Sequence, residues 1–184
     1  MFKHLFNSTR RRNRAIADGL YAQIVAAARQ PAFYSEWEVP DTPLGRFEMV
    51  GLHVYLLLRR FRGAGAAADE LAQELADTFF QDMDHSLREL GIGDMGIPKR
   101  MKTLARMFYG RTRSYDAALD AGDAEALAAA LARNVRPDAS SWPQATALAR
   151  HVQAAAAGLA SQDLDAILGG SVEFVEPRSE GATP

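Results

Sequence analysis

The chain has 184 residues, 48% of them hydrophobic and 24% charged, with a formal net charge of −2 and no cysteine. That length supports one domain with its own core, and the missing cysteines exclude disulfide scaffolds, zinc-thiolate and iron–sulfur sites and cysteine nucleophiles, in keeping with a reducing compartment. The charge is uneven: residues 1–14 carry Lys3, Arg10, Arg11, Arg12 and Arg14 with no acid, while the rest is net acidic.

Helical periodicity runs through the sequence, and no stretch alternates with period two. A first helix is expected from Arg10 to Arg29, with Ile16, Leu20 and Ile24 at helical spacing and Pro31 ending it. A polar connection, Tyr34 to Leu44, is punctuated by Pro40, Asp41 and Pro43. The second helix, Arg46 to Arg62, is apolar on nearly every side, which predicts a central position, and Gly63 and Gly65 stop it. The third, Ala66 to Leu90, sets Leu71, Leu75, Phe79, Met83 and Leu87 on one stripe, with Asp69, Glu70, Glu74, Asp77, Asp82, Asp84 and Glu89 elsewhere.

A glycine-rich break, Gly91 to Pro98, leads into a fourth helix from Pro98 to Ala121 with a basic start. A short helix follows from Asp123 to Arg133, then one from Pro143 to Ala160, and Ser161 offers a cap for a last turn to Leu168. Glycines 169 and 170 begin a stretch that reads as a frayed tail. The expected fold is all-α, a single-domain helical bundle of about six to seven helices. Its parts are a basic segment at 1–14, a helical domain over 15–170 and a flexible tail over 171–184. No apolar run reaches the ~20 residues of a membrane span, and Met1 to Leu5 is not followed by the apolar region of a secretory signal.

Candidate chemistry is thin. Asp82, His85 and Glu89 share one helix face, but a carboxylate-bridged metal site needs a second helix with its own Glu-x-x-His, which the sequence lacks. Gly91-Ile92-Gly93 has neither the preceding strand nor the lysine of a phosphate loop. His53, in the most apolar helix, reads as a hydrogen-bonded core residue, and Ser140-Ser141 with His151 lacks an orienting acid. The expectation is a non-enzyme with no cofactor and no metal. Lys99, Lys102, Arg106 and Arg113 fall near one stripe of the fourth helix, with Arg100 and Arg111 beside it. Three readings stand: pairing with the acidic third helix, which is favoured; an anionic partner such as RNA or phospholipid headgroups; or a solvated face.

Several longer strings converge. They are Tyr21 to Tyr34, Val39 to Met49, Leu52-His53, Phe80 to Asp94, Ile97 to Lys102, Phe108 to Arg111, and Arg133-Asn134-Val135. In this order and spacing the chain resembles the ubiquinol–cytochrome c chaperone family, over roughly residues 20–136. The resemblance implies an all-helical chaperone that binds and stabilises newly made cytochrome b for building the ubiquinol–cytochrome c reductase (bc1, complex III). The partners it implies are cytochrome b apoprotein, a second small assembly factor, the ribosome and, peripherally, an anionic membrane, with no DNA. The expected location is cytoplasmic, peripheral at the inner membrane, or the mitochondrial matrix in a eukaryote. Within that frame Asp82, Asp84, Arg88, Asp94, Tyr109 and Arg111 are expected to touch the client. Lys99, Arg100, Lys102 and Arg106, together with the basic head, are expected to dock on membrane or ribosome. Without the resemblance, a helical RNA- or ribosome-binding adapter and a metal-carboxylate bundle enzyme remain alternatives.

Overall fold

A computed structural model describes residues 2–89, 91 and 96–177, in which all regular structure is helical. The elements are α1 (Phe2–Ala28), α2 (Pro31–Ser35), α3 (Pro43–Phe61), α4 (Ala66–Glu89), α5 (Ile97–Ala121), α6 (Ala124–Val135), α7 (Ala145–Ser161) and α8 (Leu164–Leu168). The all-α expectation holds; two one-turn helices, α2 and α8, bring the described total to eight.

α3 is the axis of the bundle. Thr42 caps it by accepting the Gly45 amide at 3.1 Å, Pro43 supplies the fixed φ of the first turn, and the chain leaves at Gly63 with φ 69°. Gly45 is dictated by close approach, since a Cβ there would stand 1.9 Å from the Pro40 carbonyl oxygen. Met49, Leu52, Val54, Tyr55, Leu56, Leu57 and Phe61 are all buried, so α3 has almost no solvent face and α1, α4, α6 and α7 pack around it. Each such side chain removed from water is worth ~2 kcal/mol, which makes this helix the element around which the others assemble.

α1 and α4 lie side by side. Leu20 and Ile24 meet the core along with Leu75 and Phe79, while the outer rows pair polar groups. Arg10 reaches Glu74 at 3.3 Å, Asn13 donates to Glu70, Arg14 to Gln81 at 2.7 Å, and Thr78 donates to Asp18. This corrects the favoured reading of the acidic helix. Glu70, Glu74 and Asp82 are met by α1, while Asp77, Asp84 and Glu89 are met by neighbours on α4 itself, and among the described residues the basic start of α5 stays outside the exchange. α1 also runs unbroken through the basic segment expected as a separate head.

Two segments without periodicity are held by a few side-chain to backbone hydrogen bonds. In the expected connection, Pro31 starts α2 as well as ending α1, and Phe33, Trp37 and Val39 are buried. Trp142 donates its indole N–H to the Trp37 carbonyl at 2.9 Å and so ties the α6–α7 loop to this corner. The second segment is 171–177, expected as tail. Gln23 donates to the Gly170 carbonyl and accepts the Val172 amide, and Gln162 does the same for the carbonyl and amide of Glu173. Two amide side chains thus stand in for a β-ladder and hold the segment across the core, where Val172 is buried. α8 is capped by Asp163, not by Ser161, whose hydroxyl donates back to Gly158.

A candidate client groove

The stripe that buries Leu71, Leu75 and Phe79 of α4 continues to Met83 and Leu87, which are only partly covered. They form one wall of a groove of about 560 Å³. Phe47 and Val50 from α3 and Leu104 from α5 complete an apolar floor, and Leu44, 52% exposed, stands on its lip. The rim is polar and mostly cationic: Arg29, Arg46 and Arg100, with Asp41 and Asp82.

The rim geometry is partly fixed by hydrogen bonds. Tyr21 donates its phenol to Asp82 at 2.7 Å. Burial first, and then the Asp82 carboxylate, push that phenol far above its usual range, so it remains a donor at every physiological pH. Arg46 donates to Asp41 at 2.6 Å, and this bond holds the exposed Asp41 carboxyl below its ordinary range. Arg29 and Arg100 are exposed.

Behind the groove floor lies a buried ion pair. Glu48 is 5% exposed, and Arg111 Nη1 stands 2.7 Å from its Oε1. The distance is that of a strong ion pair, though the angle is not that of a directed hydrogen bond. Burial pushes the Glu48 carboxyl up to about 7 against the opposing pull of Arg111, whose guanidinium also sits 6.0 Å over the Phe47 ring.

The residues expected to touch a client are therefore dispersed. Asp82 lines the groove. Asp84 and Arg88 form an i,i+4 pair at 2.8 Å on α4. Tyr109 is 53% exposed beside the Phe80 and Phe108 rings, and Arg111 is inside, on Glu48. Asp94 lies outside the described residues. Of the docking set, Lys99, Arg100, Lys102 and Arg106 are all exposed. The metal reading gains no support from geometry: His85 contacts Glu89 at 3.1 Å, Asp82 turns to Tyr21, and among the described residues no three His, Asp or Glu side chains group to hold a metal ion.

Sequence reasoning assigned no role to Arg29, Leu44, Arg46, Val50 or Met83. The signal was present in the Val39 to Met49 string, whose turn and cap build the groove's lip. His53 is the hydrogen-bonded core residue expected, its Nδ1 2.8 Å from the Met49 carbonyl. His151 is buried beside it, the two rings 6.3 Å apart in a box with Phe33, Trp37 and Phe174. Burial lowers both imidazoles to about 4, so both are neutral at pH 7.

The family model for ubiquinol–cytochrome C chaperones matches residues 35–174. Ubiquinol-cytochrome-c reductase complex assembly factor 1 of Xenopus laevis is 26% identical over 116 residues, 63% of this chain and 58% of that protein. Its counterpart from Mus musculus is 25% identical over 114 residues, 62% of this chain and 38% of that protein. The chain thus spans about half the length of the curated relatives it matches. The crystal structure of the Cbp3 homolog from Brucella abortus is similar at 53% identity and a TM-score of 0.87, covering 96% of this chain and 97% of that one.

Proposed function

The chain belongs to the ubiquinol–cytochrome c chaperone family, and we propose that it assists assembly of the bc1 complex by holding newly made cytochrome b, with an apolar helical segment of that client seated in the groove. The observation that carries this reading is the groove itself. It is a continuation of the α4 hydrophobic stripe that, among the described residues, is only partly covered, rimmed by arginines. An uncovered apolar surface of this kind marks a binding site in a water-soluble fold. Its unbranched, adaptable Met83 suits a succession of contacts better than one rigid ligand. The chain acts in this reading by binding and not by catalysis, at the cytoplasmic or matrix face of the respiratory membrane. Asp82 contributes by fixing the rim through Tyr21, and Arg111 by supporting Phe47 from behind.

The test is a Val50→Asp, Leu104→Asp chain, which places two charges on the groove floor. Circular dichroism checks the fold, and the readouts are co-purification of cytochrome b and the reduced-minus-oxidised cytochrome b signal of membranes. A folded variant that no longer retains cytochrome b is expected. A folded variant that retains it in full places the client elsewhere and refutes the groove reading.

A further inference from the structure

The groove has an apolar floor, but its walls carry an excess of positive charge. Arg29 follows the end of α1, Arg46 stands in the first turn of α3 and Arg100 in the first turn of α5, against Asp41 and Asp82. A shallower recess of about 460 Å³ shares Leu87, Arg100 and Leu104 with the groove and adds Lys99 without adding an acid. Four cations thus face two carboxylates, and both carboxylates are already engaged within the chain. Arg46 holds Asp41 at 2.6 Å, and the Tyr21 phenol holds Asp82 at 2.7 Å. Arg29, Lys99 and Arg100 are exposed, and among the described residues none of these three side chains has an ion-pair or hydrogen-bond partner.

We infer, on the footing of the client reading above, that the segment held in the groove is an apolar helix with acidic flanks, its Asp or Glu carboxylates meeting Arg29 and Arg100. The floor supplies affinity without asking which apolar helix arrives, since Val50, Met83, Leu87 and Leu104 accept any aliphatic side chain. The rim supplies the choice. A free guanidinium presents a planar fork of donors that a carboxylate fills in pairs. A flanking Lys or Arg would instead meet like charge across the interface, and such repulsion is how an interface rejects a wrong partner. The distinction separates the segments of a membrane-protein client, because apolar spanning helices carry an excess of Lys and Arg on their cytoplasmic flanks. A cationic rim turns those flanks away and admits helices whose ends are negative. A lipid acid is also an apolar anion, but its charge sits at one end only, whereas these cations stand on three elements around the floor.

The intact chain is titrated with synthetic amphipathic helices, labelled for fluorescence anisotropy, that share one Leu/Ala stripe and differ only in their end residues: Glu, Gln or Lys. At low salt the Glu-ended helix should bind on the order of tenfold more tightly than the Gln-ended one, about threefold for each end, with the Lys-ended helix weakest. The differences should shrink as salt shortens the screening length. Arg29→Glu with Arg100→Glu should invert the order. Neither side chain has an internal partner among the described residues, so the fold is expected to persist, which circular dichroism verifies. The matched pair Arg11→Glu with Arg12→Glu, exposed on α1 and outside the groove, should keep the order and change the ratio by less than about threefold. Equal affinity for all three helices overturns the charge selection, as does an inversion produced by both variant pairs alike. In either case the groove reading survives if Val50→Asp with Leu104→Asp abolishes binding of the Gln-ended helix. Binding of no helix removes the groove reading and the charge selection together, and oleate bound in their place would assign the groove to lipid acids.

Discussion

Replacing Arg111 by Met isolates a carboxylate inside the bundle. Glu48 is 5% exposed, and the Arg111 guanidinium 2.7 Å away is the cation that compensates its charge. Removing one partner of a buried pair costs about 3–5 kcal/mol when the other must stay charged. Glu48 has an escape, because its folded pKa already stands near 7 against 4.5 for the free side chain. A raised carboxyl pKa contributes stability that is complete below pH 4.5 and is lost as pH climbs through 7, a difference of roughly 3 kcal/mol for the wild-type pair. Without Arg111 the pKa rises further, so the Arg111→Met penalty should be larger at pH 8 than at pH 5.5, by up to about 1.4 kcal/mol. Urea unfolding followed by far-UV circular dichroism at the two pH values measures this. Glu48→Met combined with Arg111→Met should recover most of the loss at pH 8, as apolar replacements of buried pairs do. An Arg111→Met penalty of equal size at both pH values would show that the guanidinium acts by packing on Phe47, and the charge reasoning would fail.

Two further outcomes follow from other buried groups and from the backbone. The imidazoles of His53 and His151 are lowered from 6.5 to about 4, so their contribution is present above pH 6.5 and is lost as pH falls through 4. His151→Phe, which removes a buried ring nitrogen without a partner, should move the acid-unfolding midpoint downward by at least half a unit in a far-UV titration, whereas an unchanged midpoint would assign acid unfolding to other groups. Gly45→Ala drives a Cβ into the Pro40 carbonyl and should destabilise by more than about 2 kcal/mol. Gly19→Ala, in α1 with nothing within 4 Å, should instead stabilise by up to about 1 kcal/mol, and thermal melts of the pair should move in opposite directions.

What the sequence revealed and what it hid divides along repetition. Leu71, Leu75 and Phe79 recur over several turns, and the all-round apolarity of α3 foretells its burial; both signals are local and cumulative. Phe33, Trp37, Val172 and Phe174 stand in segments with no period, and their burial depends on partners distant in the chain. Likewise Asp82 was visible as a polar residue of interest, but its partner Tyr21 is fixed only once α1 lies beside α4. Arg111 sits in a string that looks like surface, and nothing local announces that Glu48 waits beneath it. The groove is the intermediate case: Met83 and Leu87 read correctly as apolar, but that they remain only partly covered depends on where α5 leaves them.

The glutamine clasp bears on how the chaperone itself is made. Gln23 lies in the first helix, and its two backbone partners lie 147 and 149 residues downstream. During vectorial synthesis α1 emerges well before the segment that closes over its inner face, which follows it by 147 to 149 residues. Closure of the core therefore waits on a contact of long sequence separation, and until it forms α1 stands with part of its apolar face uncovered. A nascent copy in that interval exposes apolar surface of the same kind as the client proposed for its groove.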